Sequence, residues 1–68
     1  MIMLYIVKIF NSLGQGQEVA RFEDELACVT FAHSLHETVR NGPELASVTI
    51  HDEHGKDLWK DLRERYGW

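Results

Sequence analysis

The stretch Asp24-Glu25-Leu26-Ala27-Cys28-Val29-Thr30-Phe31-Ala32-His33-Ser34-Leu35-His36-Glu37-Thr38-Val39-Arg40-Asn41-Gly42-Pro43 decides the fold. Cys28, Phe31, Ala32, Leu35 and Val39 recur at helical spacing, which predicts a helix over Glu25 to Arg40 with these five on its core-facing stripe. Asp24 stands where a side-chain oxygen is needed to accept the unpaired amides of the first turn. Asn41-Gly42-Pro43 ends the helix, with Gly suited to a left-handed cap and Pro unable to continue. Beside the core stripe runs a second one, Leu26, Val29, His33, His36 and Arg40. Its mixture of aliphatic, imidazole and guanidinium groups has the composition of an interface.

Upstream the period changes. Ile2 to Phe10 is β-branched and aromatic without Gly or Pro, and reads as a strand. Met3, Tyr5, Val7 and Ile9 line one face; Leu4, Ile6, Lys8 and Phe10 line the other, and Lys8 marks it as the wetter. Asn11 to Gln17, with Gly14 and Gly16, is a turn leading into a second strand at Glu18 to Phe22. Downstream, Ala46 to Asp52 alternates as a strand, with Ala46, Val48 and Ile50 inward and Ser47, Thr49 and His51 outward. His54-Gly55 makes a turn. In Lys56 to Trp68, Leu58, Leu62 and Tyr66 repeat every four residues before Gly67, which favours a short helix capped by Asp57. A brief hairpin of Lys56 to Lys60 on the third strand is the alternative. The expectation is one α+β domain spanning 1–68: three, at most four, strands in the order ββαβ, one long helix across a face, and a C-terminal helix or strand.

One helix covers one face of such a sheet. Leu4, Ile6 and Phe10 then need either the C-terminal segment, through Trp59, Leu62 and Tyr66, or a second protein. A 68-residue chain buries only about 60% of its unfolded surface, so self-association is expected to supply missing stability.

Seven basic against eleven acidic residues give a net charge of −4. The basic groups alternate with acids, so a nucleic-acid footprint is disfavoured. Cys28 is the single cysteine and points to a reducing compartment. The apolar start carries no basic residue before its hydrophobic stretch, and Lys8 interrupts it. No secretory signal or membrane span is expected, and cytoplasmic placement follows.

All four histidines fall in H-x-x-H pairs. His33 and His36 lie about 60° apart around a helix, so their rings can converge on a metal with Glu37 as a third ligand. His51 and His54, three apart and so on opposite faces of a strand, converge only if the turn begins by Asp52. Polar surface residues are the plainer reading of both pairs, and no cofactor is expected. Cys28, on the core stripe with no basic neighbour, reads as a buried small hydrophobe. Gly14-Gln15-Gly16 lacks the third glycine and helix of a nucleotide site. Asp52 to Asp57 reads as an exposed turn.

The hairpin ending in Phe22, the capped helix with Phe31-Ala32 and Leu35, and Val48-Thr49-Ile50-His51-Asp52-Glu53-His54-Gly55-Lys56 together resemble small bacterial and phage proteins of unknown function. In these a strand-strand-helix unit leads into a strand with an acidic-x-x-Gly-basic turn. Some small phage-encoded inhibitors of bacterial defence, anti-CRISPR proteins among them, are similar in size, acidity and element order. The resemblance carries over no catalytic residue, and Arg63 to Trp68 extends past its final strand. The expectation is therefore a non-enzymatic interaction module, a homodimer that binds another protein. Its candidate contacts are Leu26, Val29, His33, His36 and Arg40, or the aromatic C-terminus at Trp59, Tyr66 and Trp68. An anti-CRISPR-like inhibitor and a metal-binding protein using His33 and His36 are the alternatives.

Overall fold

A computed structural model describes residues 3–42 and 46–67. Ile2, Pro43 and Trp68, each given a part above, lie outside them. The chain runs β1 (Tyr5–Asn11), β2 (Gly16–Phe22), α1 (Glu25–Arg40), β3 (Ala46–Asp52) and α2 (Trp59–Tyr66). The three strands form an antiparallel sheet in the order β2-β1-β3. This is the α+β architecture that the periodicities predict. The fourth strand shrinks to a single bridge between His51 and Asp57, after which the chain turns into α2. Both readings of residues 56–60 therefore hold in part.

Two turns of the same construction set the strand registers. In Asn11-Ser12-Leu13-Gly14-Gln15, the Asn11 Oδ1 accepts the Leu13 amide at 2.9 Å and the Gln15 amide at 3.0 Å. In Asp52-Glu53-His54-Gly55-Lys56, the Asp52 Oδ1 accepts the His54 and Lys56 amides, both at 2.9 Å. Each glycine donates to the carbonyl three residues back and sits at positive φ, 80° at Gly14 and 85° at Gly55. A residue in that conformation closes a three-residue loop, and glycine adopts it without a Cβ clash. The Asp52 carboxyl is held below its usual range, first by the Lys56 amide that it accepts.

Val7, Val48 and Ile50 face α1 and are buried with Cys28, Val29, Ala32 and Leu62. Asp24 caps α1 by accepting the Ala27 amide at 3.0 Å. Two expectations for α1 need correction. Its C-cap, Asn41, is right-handed at φ −89°, and Gly42 does not take a positive φ; the Asn41 and Gly42 amides instead close back onto Glu37 and Val39 carbonyls. The buried face is also rotated. It combines Cys28 and Ala32 from one stripe with Val29 from the other. Phe31 moves to the margin, 38% exposed, where its ring meets Phe22 with centroids 5.3 Å apart.

α2 lies on the same side of the sheet as α1. Leu62 enters the core between them, while Arg65 and Tyr66 reach Glu25 at 2.6 and 3.0 Å. The Asp57 carboxylate accepts the Trp59 amide at 2.9 Å, although the capping position itself is Leu58. Gly67 ends α2 in the left-handed conformation at φ 75°. Among the described residues, therefore, no helix lies on the second face of the sheet.

Candidate functional site

The residues of interest divide between the two sides of the sheet. On the helical side, α1 and α2 are antiparallel neighbours tied at both ends, by Glu25 to Arg65 and Tyr66 and by His36 to Trp59. The His36 ring stands edge-on to the Trp59 indole with centroids 5.7 Å apart. The Arg63 guanidinium lies over the same indole, 5.6 Å from its centroid. Trp59 and Arg63 are one helical turn apart, the spacing at which side chains on one helix meet. Trp59 is half-buried at the rim of the core, so the cluster has one side packed and one side in solvent.

The structure therefore joins a residue from each of two candidate surfaces that sequence spacing kept apart, His36 of the helix stripe and Trp59 of the C-terminal aromatics. Not every candidate belongs there. Val29 is 2% exposed and is a core residue, a correction that follows from the rotation of the buried face. Leu26 is 58% exposed near the Glu25 end. Arg40 is exposed and pairs with Glu37 at 3.6 Å. Tyr66 donates its phenol proton to Glu25, a bond to a carboxylate that raises the phenol pKa. Arg63 was missed because its charge blends into an alternating run; the signal available was its four-residue spacing from Trp59.

Metal ligation finds no geometry here. Among the described residues, no three His, Cys, Asp or Glu side chains gather as a ligand set. Glu37 turns to Arg40 and His36 to Trp59. β3 ends at Asp52, yet His51 lines the cavity on the sheet face while His54 in the following turn lies 3.9 Å from Glu53, and no third ligand gathers with either among the described residues. Cys28 is wholly buried, and burial pushes its thiol up to about 11, the reverse of an activated nucleophile.

On the other face, the register sets Arg21, Ile6 and His51 in one row and Glu18, Lys8 and Thr49 in the next. Ile6 is only 6% exposed, flanked by the long side chains of its row. Phe10 lies over Gly16, where a Cβ would stand 2.5 Å from the ring. Arg21 holds Glu18 at 2.7 Å, and that bond lowers the Glu18 carboxyl pKa. A shallow cavity of about 270 Å³ is lined by Lys8, Phe10, Thr49, His51 and Asp57 among others. The His51 Nδ1 lies 2.9 Å from the Asp52 carbonyl oxygen, which only accepts, so Nδ1 carries the proton. Its Nε2 is buried with no protein partner among the described residues.

Protein-family models, curated proteins and solved structures were compared with this chain, and none matches. No helix among the described residues is long and apolar enough to cross a membrane.

Proposed function

We propose that the chain is a non-enzymatic protein-interaction module with two working faces. The observation that carries the reading is the His36–Trp59–Arg63 cluster. A half-buried tryptophan and an exposed arginine of α2, braced by His36 from α1 on a solvent-facing flank, are of the residue types that dominate binding energy at protein interfaces. The partner occupies this helical flank. A second copy of the chain occupies the sheet face opposite the helices, over the half-buried Leu4 and Phe10 that flank the nearly buried Ile6, making a homodimer that supplements a thin core. Placement in a reducing cytoplasm accords with the free, buried Cys28. An inhibitor that binds a bacterial defence protein is the form of this module that the family resemblance implies.

The dimer is tested by sedimentation velocity over a range of concentrations. The parent is expected to rise above the 7.9 kDa monomer mass, Phe10→Glu to stay monomeric with its circular dichroism unchanged, and Trp59→Ala to remain dimeric. A parent that sediments as a monomer at every concentration removes the homodimer from the proposal.

A further inference from the structure

The chain has four arginines, and three of them are matched to carboxylates: Arg21 to Glu18, Arg40 to Glu37 and Arg65 to Glu25. Among the described residues Arg63 alone has no carboxylate within ion-pair distance; its guanidinium rests over the Trp59 ring. A guanidinium that presents its charge to a ring face keeps its in-plane N–H fork, which matches the two oxygens of a carboxylate. His36 braces the indole from α1, so the ring that holds the guanidinium is itself held. Lys60, three residues earlier on the exposed side of α2, likewise has no ion pair among the described residues, and i,i+3 neighbours share a helix surface.

We propose that this cluster recognises a carboxylate in an acidic segment of a partner protein, with Arg63 forking the carboxylate and the Trp59 indole receiving an adjacent apolar side chain. The inference rests on the helical flank being the partner face. Charge selects the ligand class. A nucleic acid or an anionic membrane needs a line of cations that neutralises several phosphates at once, whereas this flank offers one fork on a chain of net charge −4. A single carboxylate needs only the fork: Glu64, next to Arg63, projects about 100° away around α2, Asp61 stands on the side toward Tyr5 and Arg65, and more distant acids are screened beyond about 8–10 Å at physiological salt. The local site is therefore complementary to one acidic side chain and poorly suited to a polyanion.

The test uses the full ¹⁵N-labelled chain and follows the Trp59 indole N–H and the Arg63 Nε–H resonances. The probes are a capped peptide of alternating Glu and Leu, its Gln and Leu counterpart, inorganic phosphate and a short DNA duplex. Saturable shifts are expected with the Glu peptide and none with the Gln peptide. Arg63→Gln is expected to weaken binding by about tenfold or more. Arg63→Lys should fall between, because an ammonium keeps the charge without the fork. The proposal is overturned if the Glu peptide moves neither resonance, if the Gln peptide binds equally, if Arg63→Gln binds as the parent does, or if phosphate or DNA binds more tightly than the peptide. Cross-linking of a protein partner from residue 60, lost in Trp59→Ala, keeps the partner face standing even where every acidic probe fails. Absence of both results removes the two together.

Discussion

Asn11 and Asp52 do the same work in two turns far apart in the chain. Each gathers two backbone amides with one side-chain oxygen, and each is followed three residues later by a glycine at positive φ. Alanine in that conformation costs roughly 1–2 kcal/mol, so Gly14→Ala and Gly55→Ala are each expected to lower the free energy of unfolding by about that amount in urea titrations. Asp52 adds a pH dependence. Its folded pKa is depressed, so its stabilising contribution is present above the ordinary carboxyl value of about 4 and is lost as pH falls through the lower folded value. Asp52→Asn keeps an amide oxygen in the same place but does not titrate there. Its urea midpoint should decline less than the parent's between neutral pH and about pH 3; an equal decline would mean that the acid sensitivity arises elsewhere. The fold also separates Leu26 from Val29, which spacing alone places side by side. Val29→Ala is expected to cost about 2 kcal/mol as a buried truncation, and Leu26→Ala about 0.5 kcal/mol or less. Equal losses would contradict the rotation of the helix.

The elements themselves were legible wherever one residue type carries an unambiguous local signal. Asp24 marks the start of α1, β-branched runs mark β1 and β3, and Gly67 marks the end of α2. The phase of α1 was not legible. Successive residues turn by about 100°, so two adjacent apolar stripes allow several nearly equivalent buried faces, and only the sheet and α2 together select the one centred on Ala32. The position of α2 was equally hidden. Leu58, Leu62 and Tyr66 show that a helix has a packed face but not which face of the sheet receives it. Glu25 now accounts for part of that choice by holding both Arg65 and Tyr66. Glu25→Ala is expected to speed amide hydrogen exchange across α2 more than across α1, with a loss of about 0.2–1 kcal/mol, the range for a largely exposed pair. Uniform acceleration along the whole chain would mean that the contact supports the fold globally and does not dock α2 in particular.

At the scale of the molecule, both helices sit on one side of a three-stranded sheet, and this gives the protein two unlike surfaces. The sheet face is a mosaic in which Lys8, Arg21 and His51 flank a nearly buried Ile6. The helical flank concentrates His36, Trp59 and Arg63. Of the histidine pairs that stand out in the sequence, His36 enters that cluster through an aromatic contact with Trp59. The binding surface was half-legible for the same reason: residue types suited to an interface are visible in the chain, but the meeting of His36 with Trp59 depends on how two helices dock. The account's central claim is that a protein partner binds this flank. The most direct measurement is photo-cross-linking in an extract of the source cells, with a benzophenone side chain introduced at Lys60 and, for comparison, at Ser47 beyond the helices. The account predicts a heterologous protein adduct from position 60 that is absent from position 47 and lost when Trp59→Ala is added. An adduct that survives Trp59→Ala, or that forms from position 47 and not from position 60, contradicts it.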